Sequence, residues 1–105
     1  MPRTYSEAFL RKLSEDTNEQ HNLGIELAKA CTGANLPMLY VAKALDVSKL
    51  TIFHWFRGRE VRAVRRPRVQ AFIALVGQDT AAGMLPAANM KAAKAYIEDM
   101  IGHDI

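Results

Sequence analysis

The sequence predicts an all-α fold, a compact bundle of five to six helices with an extra helix near the C-terminal end. Three observations predict it. Apolar residues recur at three- and four-residue steps over most of the chain, the spacing that gathers side chains on one helical face. Strand signals are poor, because no hairpin dipeptide sits between alternating runs. Residues with helix-boundary chemistry (Ser6, Pro37, Ser48, Pro67) open the periodic segments, and glycine or asparagine closes several of them. With 105 residues, 50% of them hydrophobic, the chain has the size of one domain, residues 1–105.

The elements follow in order. Ser6-Glu7 can open a first helix with Phe9, Leu10 and Leu13 on one face, and Thr17-x-x-Gln20 has the spacing of a capping box for a second. In that second helix Leu23, Leu27, Ala30, Cys31 and Ala34 recur on one side, Gly24 weakens the propensity slightly, and Gly33 and Asn35 end it. Pro37 suits the first turn of the next helix, where its missing N–H costs nothing. There Leu39, Ala42 and Leu45 are expected to face inward, with Val41 partly so. Asp46-Val47 makes a turn, Ser48 caps a further helix, and Ile52, Trp55 and Phe56 supply that helix's apolar side until Gly58. Residues 60–66 lack helical periodicity and read as a loop pinned by Val61 and Val64. Pro67 opens a helix carrying Val69, Phe72, Ile73 and Val76, which Gly77 is expected to end. After Gly83-Met84-Leu85-Pro86, a last helix over residues 87–101 carries Met90, Ala93, Ile97 and Ile101 along one stripe.

Several classes of function find no support. No apolar run approaches the ~20 residues of a membrane span. The start, MPRTYSEAFLRKLSEDTNEQ, lacks the apolar core of a signal peptide. The single cysteine, Cys31, has no internal disulfide partner, and neither it nor His21 and His103 shows zinc spacing. The expected compartment is therefore a reducing cytoplasm. With no nucleophile–base pair, glycine-rich phosphate loop or metal constellation, the sequence reads as a non-enzyme without a cofactor or metal.

Charge is distributed unevenly. Residues 37–68 hold eight basic and two acidic side chains, a net +6, while the rest of the chain holds six basic and nine acidic, a net −3. A basic middle between acidic flanks suggests a polyanionic partner for that segment.

Residues 38–57, MLYVAKALDVSKLTIFHWFR, read as two short helices joined by a tight turn, and they run into the arginine cluster RGREVRAVRRPR. Helices that cross closely need a small residue at the crossing, and Ala42 stands there. The turn needs a residue tolerant of positive φ; glycine is usual, and here it is Asp46, one of the non-glycine residues that enter that region more readily. A buried aliphatic (Val47) and two apolar residues that hold the second helix (Ile52 and Trp55) complete the pattern. Over residues 23–76 the chain resembles the lambda-repressor-like, Cro-type helix-turn-helix DNA-binding family, and VSKLTIFHWFRG looks like the recognition segment of small phage and bacterial DNA-binding proteins. Residues 1–22 form an extension outside the resemblance, as does the C-terminal helix.

The resemblance implies that the second helix of the pair enters the DNA major groove, N-terminal end first. Its outward positions are Ser48, Lys49, Leu50, Thr51, Phe53 and His54. Of these, Ser48, Lys49, Thr51 and His54 are the candidate base readers. Arg57, Arg59, Arg62, Arg65, Arg66 and Arg68 are candidates for phosphates, which orient a protein without reading sequence. It also implies double-stranded DNA as partner, a homodimer matched to two half-sites, and a transcriptional regulator working in a bacterial, or phage-infected, host cytoplasm. The ordinary alternatives are a solvated polar face for Lys49, Thr51 and His54, an N-cap role for Ser48, and core packing for Trp55, Phe56 and Cys31. The last helix either packs on its own domain or offers Ala92, Ala93 and Ala95 to a second copy. Two other functions need the same charges: a phage packaging, replication or architectural DNA binder, and an interaction module for an acidic protein partner.

Overall fold

A computed structural model describes residues 5–15 and 22–105. Among them are six α-helices, one short 3₁₀ turn and no strand. The expected capping box at Thr17 and Gln20, His21 and the Leu13 side chain lie outside the described residues.

Helix α1 (Glu7–Glu15) starts at Ser6, whose hydroxyl accepts the Phe9 N–H at 3.2 Å. The preceding Tyr5 is buried. Its hydroxyl donates to the Leu36 carbonyl at 2.8 Å, and its ring lies 5.5 Å from Phe9 and 6.3 Å from Phe56 between centroids. Tyr5 thus fastens the start of α1 to the core. Helix α2 (Leu23–Ala34) is capped by Asn22 and buries Leu23, Leu27, Ala28, Cys31 and Ala34. It stops at Asn35 in the left-handed region (φ 58°, ψ 43°), whose N–H reaches the carbonyls of Cys31 and Thr32.

Helix α3 (Met38–Leu45) begins one residue beyond Pro37, which sits at the cap rather than in the first turn. The inward face differs from the one expected. Val41, Ala42 and Leu45 are buried, and Leu39 is 46% exposed. At ~100° per residue, Leu39 lies about 110° round from the centre of that face. Helix α4 (Lys49–Phe56) buries Ile52, Trp55 and Phe56.

Of the two valines expected to pin the segment after α4, Val61 is buried and Val64 is 81% exposed on the 3₁₀ turn Ala63–Arg65. Helix α5 (Arg66–Ala81) has Pro67 in its first turn and turns Val69, Phe72 and Val76 inward. It does not end at Gly77. A mid-helix glycine costs only about 1 kcal/mol against alanine, and the helix runs on one more turn, where the Thr80 hydroxyl bonds the Val76 carbonyl at 2.8 Å. Leu85 and Ala87 of the following connection are buried. The Ala87 N–H donates to the Ala34 carbonyl at 2.9 Å, and the Asn35 side-chain amide donates to the Ala87 carbonyl at 2.8 Å. Helix α6 (Met90–Ile101) starts at the Asn89 cap, three residues later than expected. It buries Ala93 and Ile97 and leaves Met90 52% exposed.

Helix α2 is the hub, packed on α1, α4 and α5, while α3 lies between α4 and α6 and also touches α5. The described residues fill 34 × 32 × 25 Å.

Candidate nucleic-acid interface

Three residues, Asp46, Val47 and Ser48, connect α3 to α4. Asp46 adopts φ 56°, ψ 48°, and its N–H reaches the Ala42 and Lys43 carbonyls at the end of α3. L-residues enter this region at a steric cost, which aspartate tolerates better than most. Val47 is half-buried rather than fully enclosed. Ser48 returns to an extended backbone (φ −75°, ψ 156°), and its Oγ accepts the Thr51 N–H at 3.1 Å and lies 2.9 Å from Thr51 Oγ1. Ser48 is therefore an N-cap in fact, and much of its hydrogen-bonding capacity is used locally.

Helix α4 packs against both α2 and α3. Ala42 is buried, as a small crossing residue should be, and α2 comes close to α4 at Gly24. A Cβ there would run into the Trp55 carbonyl oxygen and lie 3.0 Å from the Trp55 carbonyl carbon. Next to it, Asn22 works at both ends of its amide. Oδ1 accepts the Ile25 N–H at 3.2 Å and starts α2, while Nδ2 donates to the Gly58 carbonyl at 2.8 Å and holds the exit of α4. Gly58 turns there with φ 105°.

On the outer side, α4 presents two flanks. One forms a groove of about 320 Å³ with the segment that follows the helix. Ser48, Thr51 and His54 line it together with Arg59, Arg62 and Arg65, over a floor of Val47 and Trp55, with Glu60 as its acidic member. Arg65 Nη1 donates to the Asp46 carbonyl at 3.4 Å, which ties the arginine segment back to the turn. The other flank carries Lys49, Leu50 and Phe53. Leu50 is 63% and Phe53 37% exposed, and the Arg57 guanidinium lies 4.5 Å from the centre of the Phe53 ring. His54 meets that ring edge-on at 5.7 Å between centroids. The structure therefore gathers six of the ten expected site residues into one groove. Lys49 and Arg57 lie outside the groove lining, and Arg66 (half-buried) and Arg68 (exposed) belong to the start of α5.

This surface offers N–H and O–H donors and positive charge beside the N-terminal end of α4, whose unpaired N–H groups add a partial positive charge. Among the described residues no group of three or more His, Cys, Asp or Glu side chains is placed to hold a metal ion, and no helix is long and apolar enough to cross a membrane. Cys31 is enclosed in the core, and burial pushes its thiol up, away from the nucleophilic thiolate.

Sequence reasoning missed Asn22 and Gly24 as supports of α4, and Glu60 as part of the groove. Asn22 directly before an apolar-periodic run carries a readable cap signal. Gly24 carries none, since the need for it lies in a helix thirty residues away. No known protein family, curated protein or solved structure matches this chain.

Proposed function

We propose that the protein binds double-stranded DNA sequence-specifically and serves as a small phage or bacterial transcriptional regulator. One observation carries the reading: the groove in which Ser48, Thr51 and His54 of an outward-facing helix converge with Arg59, Arg62 and Arg65. A cationic groove beside an exposed eight-residue helix fits a duplex, whose phosphate ridges flank a major groove wide enough for that helix. In this mechanism α4 enters the major groove with Lys49 leading, the arginines neutralise phosphates on its border, and bound protein blocks or recruits at a promoter. The partner is DNA, and two copies occupy two half-sites.

Selection from a random duplex pool tests the proposal. A recovered palindrome is the expected result, with log K falling against log salt at a slope near −5 if about six phosphates are neutralised. Tight but sequence-indifferent binding would remove the regulator and leave an architectural or packaging role. No affinity for any duplex at low salt would remove DNA binding altogether.

A further inference from the structure

We infer that Leu50 and Phe53, rather than the polar residues of α4, set sequence preference by reading the methyl groups of thymines in the major groove. The inference rests on the DNA-binding reading. It starts from the division of α4 into two flanks. Ser48, Thr51 and His54 look into the arginine groove, and Ser48 and Thr51 already bond each other and the helix N-terminus. Polar groups beside three arginines and one glutamate, Glu60, face a net positive groove that suits a phosphate. The flank left for bases holds Lys49, Leu50 and Phe53.

That flank is unusual for solvent. Ile52, Trp55 and Phe56 already meet the demand of the core, yet two further large apolar side chains stand on the outer side of the same helix. Phe53 is also braced, with the Arg57 guanidinium over its face and the His54 ring at its edge. A braced aromatic presents its surface with little ordering cost on binding. The apolar pair is bordered by Lys49 on one side and Arg57 on the other. An apolar strip between cations complements a DNA major groove, where the thymine C5-methyl is the one apolar feature on a base edge and phosphates lie to either side.

The experiment uses the duplex recovered by selection and remakes it with deoxyuridine in place of each thymidine in turn, which removes only the C5-methyl. The expected result is a loss of about fourfold in affinity at one or two positions, the value of burying one methyl group. Leu50→Ala and Phe53→Ala, both at exposed positions and checked for an unchanged melting curve, should each erase one of these differences. Lys49→Ala should weaken binding to both duplexes and keep their ratio. Equal affinity for thymine and uracil duplexes overturns the inference while DNA binding stands. A thymine preference that survives the Leu50→Ala, Phe53→Ala double variant also overturns it. Failure to bind the thymine duplex itself removes the DNA-binding reading, and this inference with it.

Discussion

Replacing Gly24 with alanine should destabilise the protein, although helix propensity alone predicts the reverse. Gly24 is the second residue of α2, and alanine is favoured over glycine in a helix by up to about 1 kcal/mol. Against this stands the wall it faces. The new methyl would press on the Trp55 carbonyl oxygen, with the carbonyl carbon at 3.0 Å and Asn22 Oδ1 at 3.1 Å. Two of these three atoms are backbone, so no rotamer change relieves the contact. Ordinary carbon contacts are about 3.5–4.0 Å, so α2 and α4 must part by roughly 1 Å. Overpacking of this kind costs about 1–3 kcal/mol. The separation also stretches the 2.8 Å bond from Asn22 to the Gly58 carbonyl, worth a further ~1 kcal/mol. The net expectation is a loss of about 2 kcal/mol, or roughly 8–16 °C in Tm for a domain of this size. Thermal and urea melts of Gly24→Ala measure it. The internal control is Gly77→Ala in α5, where an added Cβ meets nothing within 4 Å. That variant should gain up to about 1 kcal/mol. If both alanines stabilise the protein equally, the close approach of α2 to α4 is not what fixes α4.

Three other outcomes are expected. Asp46→Gly should hold or raise stability, because glycine enters the left-handed region without strain, whereas Asp46→Val should cost about 2 kcal/mol in a urea melt. Burial raises the Cys31 thiol above its ordinary 9.0, so the stability it contributes is whole below that pH and lost as pH rises further, when the unfolded chain ionises and the folded one does not. The unfolding free energy from urea melts should therefore fall above pH 9.0, by up to about 1.4 kcal/mol per pH unit from this group, and native Cys31 should resist iodoacetamide until the protein unfolds. Arg62→Ala should weaken DNA binding about equally for all sequences and reduce the salt slope by about 1, as read by fluorescence anisotropy across a salt series.

The helical class was legible because spacing and caps are local properties. Ser48 before an apolar-periodic run is a cap on chemical grounds, and its hydroxyl accepts the Thr51 N–H. The inward face of α3 was not legible: MLYVAKAL is apolar almost all round, so no stripe distinguishes Leu39 from Val41, and contact with α4 and α6 decides. Gly77 reads as a stop, yet residues 78–81 complete another helical turn. The six arginines could be named from charge, and Ser48, Lys49, Thr51 and His54 from the resemblance to the helix-turn-helix family. Their assembly could not, because residues 60–66 have no helical periodicity. The burial of Val61 and the bond from Arg65 to the Asp46 carbonyl help to fold that segment over the outer side of α4.

The reciprocal bonds between Ala87 and the Ala34–Asn35 corner bear on the proposed DNA-binding dimer, and on how far apart its two copies of α4 could sit. They join residues fifty-two and fifty-three positions apart in the chain, and α6 then lies directly on α3. A dimer formed through α6 would have no slack between its contact and its reading head. Such a pair would behave as a rigid caliper. One inserted base pair between half-sites turns the second site by about 35° and should abolish two-handed binding, where proteins with a loose tether would tolerate it.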